Sequence, residues 1–342
     1  MSDPVPTGRS TGRRKPFRLG LSGVGLLAAI GTIALCFGEL PDGSAFGQSG
    51  AVSSGEGVAS THLAPLPPLL RPLLEQRQWL NSRLDDEALR GKVVLVNFWT
   101  YSCINSLRPL PYLRAWAEKY RSRGLVIVGV HTPEFAFEKD PGNVRQAVAA
   151  LGVSYPVVLD SDFHIWRDFD NQGWPGFYLI DANGRVRHQQ LGEGDFAQTE
   201  RWIERLLSEK DGKPVVGVAT PVRSTGIEAA ADWANQRSPE TYVGYAKANG
   251  FVSPGGIVTN KAYSYEPVTA LPLNRWDFSK IWTVGSEFAE PIDPGSSLRY
   301  RFHARDLHLV MGLTPGHGPV RFRVTIGDAP PGADHGADIG AR

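Results

Sequence analysis

The sequence predicts an α/β domain on a mostly parallel sheet, an all-β domain of sandwich type after it, and one apolar helix before it. Three observations predict this. Between residues 76 and 212, apolar runs of strand length alternate with stretches of helical period, the order that parallel strands with crossover helices require. From 213 to 342 the helical periods stop, and short strands punctuated by Gly and Pro take over. Near the start, Arg13, Arg14, Lys15 and Arg18 precede an uncharged run over residues 19–38, about 20 residues and long enough to cross a bilayer.

Composition narrows the partners. Lys and Arg number 36 against 35 Asp and Glu, a net charge of +1, so nothing favours nucleic acid. The two cysteines, Cys36 and Cys103, support neither a disulfide framework nor a cysteine zinc site. Metal-protease, phosphate-loop and dinucleotide motifs do not appear, and Gly192-Glu193-Gly194 is too short for a phosphate site. No metal and no cofactor is expected.

The N-terminal elements follow from charge and length. Residues 1–18 read as a basic cytoplasmic tail and 19–40 as an anchor, with the positive flank inside and the rest of the chain outside. In a bacterium the soluble domains then face the periplasm from the inner membrane. Cleavage is the alternative: Gly43-Ser44-Ala45 offers small residues, Arg13-Arg14 loosely matches a twin-arginine signal, and the product would be secreted. Residues 41–75 carry Gly, Ser and then Pro65, Pro67, Pro68 and Pro72, a stiff spacer.

The α/β domain is organised around residues 93–113, VVLVNFWTYSCINSLRPLPYL. An apolar run to Trp99 predicts a buried strand, a polar turn follows, and Cys103 stands where helical spacing begins. A Cys at a helix start meets unpaired N–H groups and the positive end of the dipole, which favour thiolate. The helix runs to about residue 121, with Pro109 kinking it. A strand at 125–130, a helix at 143–151, a strand at 155–160 and a short helix at 165–169 come next. Residues 177–181 and 186–191 read as a hairpin, and Asp195 as the cap of a last helix. Glu134, in the loop after a parallel strand, is either a proton acceptor near Cys103 or a structural carboxylate.

The segment FWTYSCINS followed by Pro109 resembles the active-site stretch of membrane-tethered thioredoxin-like proteins of the TlpA, ResA and DipZ kind. The resemblance implies a thioredoxin-like fold and thiol-disulfide oxidoreductase chemistry on protein thiols and disulfides. It makes Cys103 the nucleophile, Pro175 a cis-proline beside it, and Trp99, Tyr101 and Trp174 substrate contacts with Glu134 nearby. Asn97 replaces the buried Asp of plain thioredoxins, as TlpA-like proteins commonly do. The extra strand and helix within 125–160 also fit this group.

Those relatives carry Cys-x-x-Cys, and this chain carries Cys103-Ile104-Asn105-Ser106. The resolving thiol is absent, so dithiol turnover is in doubt and a small thiol or a membrane electron donor would have to act. Two other readings stay open. One is a redox-inactive binding module presenting a peptide groove. The other is a single-Cys peroxidase-like antioxidant, for which Thr100 lies three before Cys103.

In the last domain, strands are expected at 242–245, 262–265, 276–284, 297–302, 307–313 and 320–326. SPETYVGY, FVSPGG and RFHARDLHLVMG resemble the carbohydrate-binding-module-like domain of DipZ-type proteins. That resemblance implies a glycan as partner; Trp276, Trp282 and Tyr300 are candidates to stack on a sugar ring, although aromatics of a sandwich more often belong to its core. The domain stops short of the family's last strands, which predicts an exposed sheet edge. His303 and His308 fall on opposite faces of a strand and make a poor metal pair.

Overall fold

The structure, a computed structural model, describes residues 66–215, 222–313, 318–336 and 338–340, and the backbone of β1 (Phe17–Leu21) and β2 (Ala29–Thr32). It divides into two compact units, Ala34–Ala231 and Asp232–Arg342 with Met1–Ile33.

In the first unit, six strands lie in the order β3-β6-β5-β4-β7-β8. They are β3 (Trp79–Leu80), β4 (Val93–Trp99), β5 (Leu125–His131), β6 (Val157–Leu159), β7 (Gly176–Ile180) and β8 (Val186–Leu191). β5 runs parallel to both β4 and β6. β3, β7 and β8 pair antiparallel, so the sheet is mixed rather than mostly parallel. The difference arises because the path through α6 (His164–Asp168) brings the chain back reversed onto β4.

All seven residues of β4 are buried, because helices cover both faces of the sheet. Val93, Leu95 and Trp99 share a core with α4 (Leu110–Tyr120), α5 (Pro141–Ala150) and α7 (Phe196–Asp211) through Leu113, Trp116, Val144, Ile203 and Leu206. The alternate residues Val94, Val96 and Phe98 pack on Leu70, Leu73, Ile165 and Phe169. Residues 66–75, read from sequence as the end of a spacer, instead form a short turn and α1 (Arg71–Glu75). Their leucines recur at helical spacing, and Leu66, Leu70 and Leu73 are drawn into that second core.

The single kinked helix expected after Cys103 is two helices, α3 (Ile104–Leu107) and α4. Pro109 cannot donate to the helix ladder and lies at the break, with Pro111 in the first turn of α4, where a proline is tolerated. Asp195 precedes α7 as expected, but its side chain makes no cap. Its backbone is left-handed, and its carbonyl accepts the N–H groups of Gln198 and Thr199 instead.

The second unit is all-β. Its described strands are β9 (Ala262–Tyr265), β10 (Arg275–Val284), β11 (Ala289–Pro291), β12 (Ser297–Phe302), β13 (Val310–Leu313) and β14 (Val324–Ile326). β10 is the spine, pairing antiparallel with β9, β11 and β12. Tyr265, Trp276, Phe278, Val284, Leu298 and Tyr300 form the core around it. The stretch expected as a strand at 242–245 is irregular, bending at Gly244 into a turn, and Gly244 lies so close to the Glu287 backbone that only a glycine fits. β11 was not foreseen.

β1 pairs with β12 and β14, and β2 with β11 and β13. Among the described residues no helix is long and apolar enough to cross a membrane. Within the 19–40 segment expected as one apolar helix, residues 19–21 and 29–32 are instead strands, held by pairing to β12 and β13; the rest of it lies outside the described residues, together with most of the basic tail, Cys36 and residues 41–65.

Candidate functional site

Three loops meet where β4 ends. The pairing of Phe98 with Gly176 sets Pro175 beside the last residue of β4. The Thr132 N–H, following β5, donates to the Trp99 carbonyl at 3.2 Å, and the Trp174 indole donates to the Thr132 carbonyl at 2.9 Å. The Trp174-Pro175 peptide is cis, as the resemblance implied. Trp174 is half-buried against Trp166, their rings 4.4 Å apart.

Cys103 leads into α3 with extended backbone, and its carbonyl accepts the N–H groups of Ser106 at 2.9 Å and Leu107 at 3.2 Å. It is in no disulfide. The sequence placed it at a polar turn, and it is 1% exposed, with all four residues of α3 buried. Ser106 Oγ accepts the Thr100 N–H at 3.4 Å, tying the turn before Cys103 to the helix after it. Because that hydroxyl oxygen is the acceptor there, its own proton is left to donate elsewhere.

Trp99, expected at the substrate surface, is wholly buried in the core beside Leu110 and Trp116. It is the last inward residue of a fully buried strand and cannot meet substrate. Tyr101 is half-buried, stacks on His131 at 5.5 Å and donates to the Phe137 carbonyl. Burial, and then the charge of Glu138, push its phenol far up. Asn97 donates to the Gly176 carbonyl at 3.4 Å, joining β4 to the start of β7.

Glu134 contributes its backbone N–H to the site, but the fully buried carboxylate of this loop is Glu138. Glu138 Oε2 accepts the N–H groups of Glu134 at 2.6 Å and Phe135 at 2.9 Å. Oε1 accepts the Ser102 hydroxyl at 2.5 Å and the Ser102 N–H at 3.4 Å. One carboxylate therefore fastens the loop after β5 to the residue before Cys103. Sequence reasoning missed it, although a Glu three residues beyond Phe135 reaching back to its N–H is a capping signal.

Three further buried polar groups surround the turn. His131, wholly buried, lies 3.4 Å from Thr100 Oγ1 through Nε2, and burial pushes its pKa down to about 3. Asp160 accepts the N–H groups of Ile165 and Trp166, each at 2.9 Å, and the Thr132 hydroxyl at 3.2 Å; burial raises its carboxyl nonetheless. Arg108 NH1 lies 2.7 Å from Glu193, bringing Gly192-Glu193-Gly194 against the end of α3. Burial raises the Glu193 carboxyl, and Arg108 pulls it partly back.

The loop before Pro175 depends on Asn171. Its amide donates to the Gly173 carbonyl at 2.9 Å, and its Oδ1 accepts the Tyr178 hydroxyl at 3.1 Å. A Cβ on Gly176 would lie 2.1 Å from that oxygen. Gly176→Ala is thus expected to break both bonds and destabilise the unit by ~2 kcal/mol. Urea unfolding measures this, and an unchanged midpoint would show that Asn171 moves aside freely.

Among the described residues, no group of three His, Cys, Asp or Glu side chains is placed to hold a metal. In the second unit the stacking candidates are core residues. Trp276 and Tyr300 are wholly buried and Trp282 nearly so, because they lie on the inward face of the strands. None presents a ring to a sugar.

The Redoxin family model matches residues 80–204, and the model described as "Thioredoxin like C-terminal domain" matches 238–342. Protein DipZ of Mycobacterium bovis is 39% identical over 241 residues, which is 69% of this chain and 34% of DipZ. The chain thus spans about a third of DipZ. The thiol-disulfide oxidoreductase YkuV of Bacillus subtilis is 30% identical over 148 residues, 43% of this chain and 97% of YkuV. The thiol-disulfide oxidoreductase ResA of Bacillus thuringiensis is 27% identical over 124 residues, 36% of this chain and 69% of ResA. A fold with both faces of its sheet covered by helices, a Cys at a helix start, a cis-proline next to the strand that pairs with β4, and a near full-length match to YkuV place the chain in the family of thioredoxin-like thiol-disulfide oxidoreductases.

Proposed function

We propose that the chain is a periplasm-facing thiol-disulfide exchange protein that works with a single thiol, Cys103. The β4–β7 register carries this reading, because it sets Pro175 beside the strand that leads into the Cys103 turn. The basic residues before the apolar 19–38 run support export of the domains that follow. The second unit is proposed to be a β-sandwich used for docking, on a surface other than Trp276, Trp282 or Tyr300.

The chemistry balances with two external thiols. The Cys103 thiolate attacks one sulfur of a partner disulfide; that S–S bond breaks, and the departing sulfur takes a proton from water. Ser106 cannot displace the partner from the mixed disulfide. An external thiolate attacks Cys103 Sγ and releases the second partner thiol, and another removes itself and the first as a small disulfide. The partner disulfide is reduced, and two small thiols are oxidised.

The test is trapping. Incubated with a model peptide disulfide, the full chain is expected to acquire one peptide adduct, mapped to Cys103 by mass spectrometry, that persists until glutathione is added. A chain that forms no adduct at Cys103 overturns the proposal.

A further inference from the structure

Beyond α7 the chain turns back to the active-site helix. Residues 226–228 form a single turn, Gly226–Glu228, which lies against α3. Arg114, on α4, holds it: NH1 and NH2 reach the two carboxylate oxygens of Glu228, each at 2.8 Å, and NH1 also donates to the Leu151 carbonyl at 2.8 Å. A guanidinium and a carboxylate meeting through two parallel bonds form a directional contact that a lysine could not reproduce.

The two sides of this contact differ. α3 is buried throughout, and Cys103 beside it is 1% exposed. The covering segment buries little of its own surface, with Ile227 37% exposed. The ion pair keeps partial contact with water, the side chains being 29% and 18% exposed. A largely exposed segment clamped by an ion pair that keeps contact with water opens at low cost, and more readily in salt. Once it opens, Arg114 is left beside the active-site helix with its fork turned to whatever takes the place of Glu228.

We propose that Gly226–Glu228 is an internal occupant of a docking surface on the active-site helix, and that the partner displacing it is a protein segment bearing a carboxylate for Arg114. The inference rests on the reading of Cys103 as the reactive thiol, and it adds to that reading a partner chemistry and a closed state. Access to Cys103 is then set by competition at Arg114.

The experiment uses the full chain and a polyethylene-glycol maleimide, with modification of Cys103 followed by peptide mapping. Glu228→Gln and Arg114→Gln each remove the clamp and are expected to raise the modification rate about tenfold, the loss of one charge-assisted contact. A synthetic peptide of residues 223–230 is expected to protect Cys103 again in E228Q but not in R114Q. The same peptide with Gln in place of its Glu is expected to protect neither. Parental modification rates in both variants overturn the proposal, as does equal protection of the two by the peptide. Maleimide addition requires no disulfide chemistry, so the two readings fail separately. Faster modification without any peptide adduct sinks only the exchange reading, and adduct formation with unchanged modification sinks only the internal occupant.

Discussion

Ser106→Cys is expected to convert the chain from one that forms a single persistent mixed disulfide into one that reduces insulin disulfides catalytically, at least ~100-fold faster than the parent. The magnitude follows from exchanging an external thiol for an internal one, because well-oriented intramolecular attack carries effective concentrations far above any added thiol. The geometry is in place. The Ser106 N–H donates to the Cys103 carbonyl at 2.9 Å, and a turn closed this way holds its end Cα atoms within about 7 Å. A disulfide spans roughly 4.4–6.8 Å between Cα atoms. Insulin turbidity with dithiothreitol as reductant reads the gain, and Cys103→Ser in the same background should return it to the parental level. If S106C and the parent precipitate insulin equally slowly, the missing resolving thiol is not what limits this site. The Thr100 N–H would exchange a hydroxyl acceptor for a weak sulfur one, a small penalty beside that gain.

Much of the frame that carries this site was legible in the sequence. β4 announced itself because all seven of its residues are buried and so had to be apolar or nearly so. Pro109 announced the break after α3 because a missing N–H is a local fact. What could not be read was what neighbours do. Glu134 and Glu138 look alike in sequence, and only the fold brings Ser102 to the second of them. Trp99 was assigned to a binding surface, and Trp276 was open between a binding surface and the core, because an aromatic residue looks the same whether its strand faces in or out. Nor could the sequence show that residues 226–228, more than a hundred residues later in the chain, lie against the helix that Cys103 starts. Residues 66–75 were misread from their prolines, which fit a spacer and the first turn of a helix equally well.

His131 makes the fold sensitive to acid. Its ring is wholly buried between Trp99 and Tyr101, and its pKa is pushed down to about 3 by burial. The unfolded chain binds the His131 proton below about pH 6.5, whereas the folded chain does not until about pH 3. Between those limits the unfolded state binds more protons, so stability falls as pH falls, by up to about 1.4 kcal/mol per pH unit. Asp160 and Glu193 act in the opposite sense, since their folded carboxyls are raised. As pH drops through those raised values the folded state takes protons first, which returns some stability. The net expectation is a loss of ~2 kcal/mol between about pH 6.5 and about pH 4.5, read from urea unfolding midpoints along that series. His131→Phe retains a ring between Trp99 and Tyr101 and removes the titration, so its midpoint should vary little over the same range. If H131F loses stability as steeply as the parent, the acid sensitivity belongs to another group.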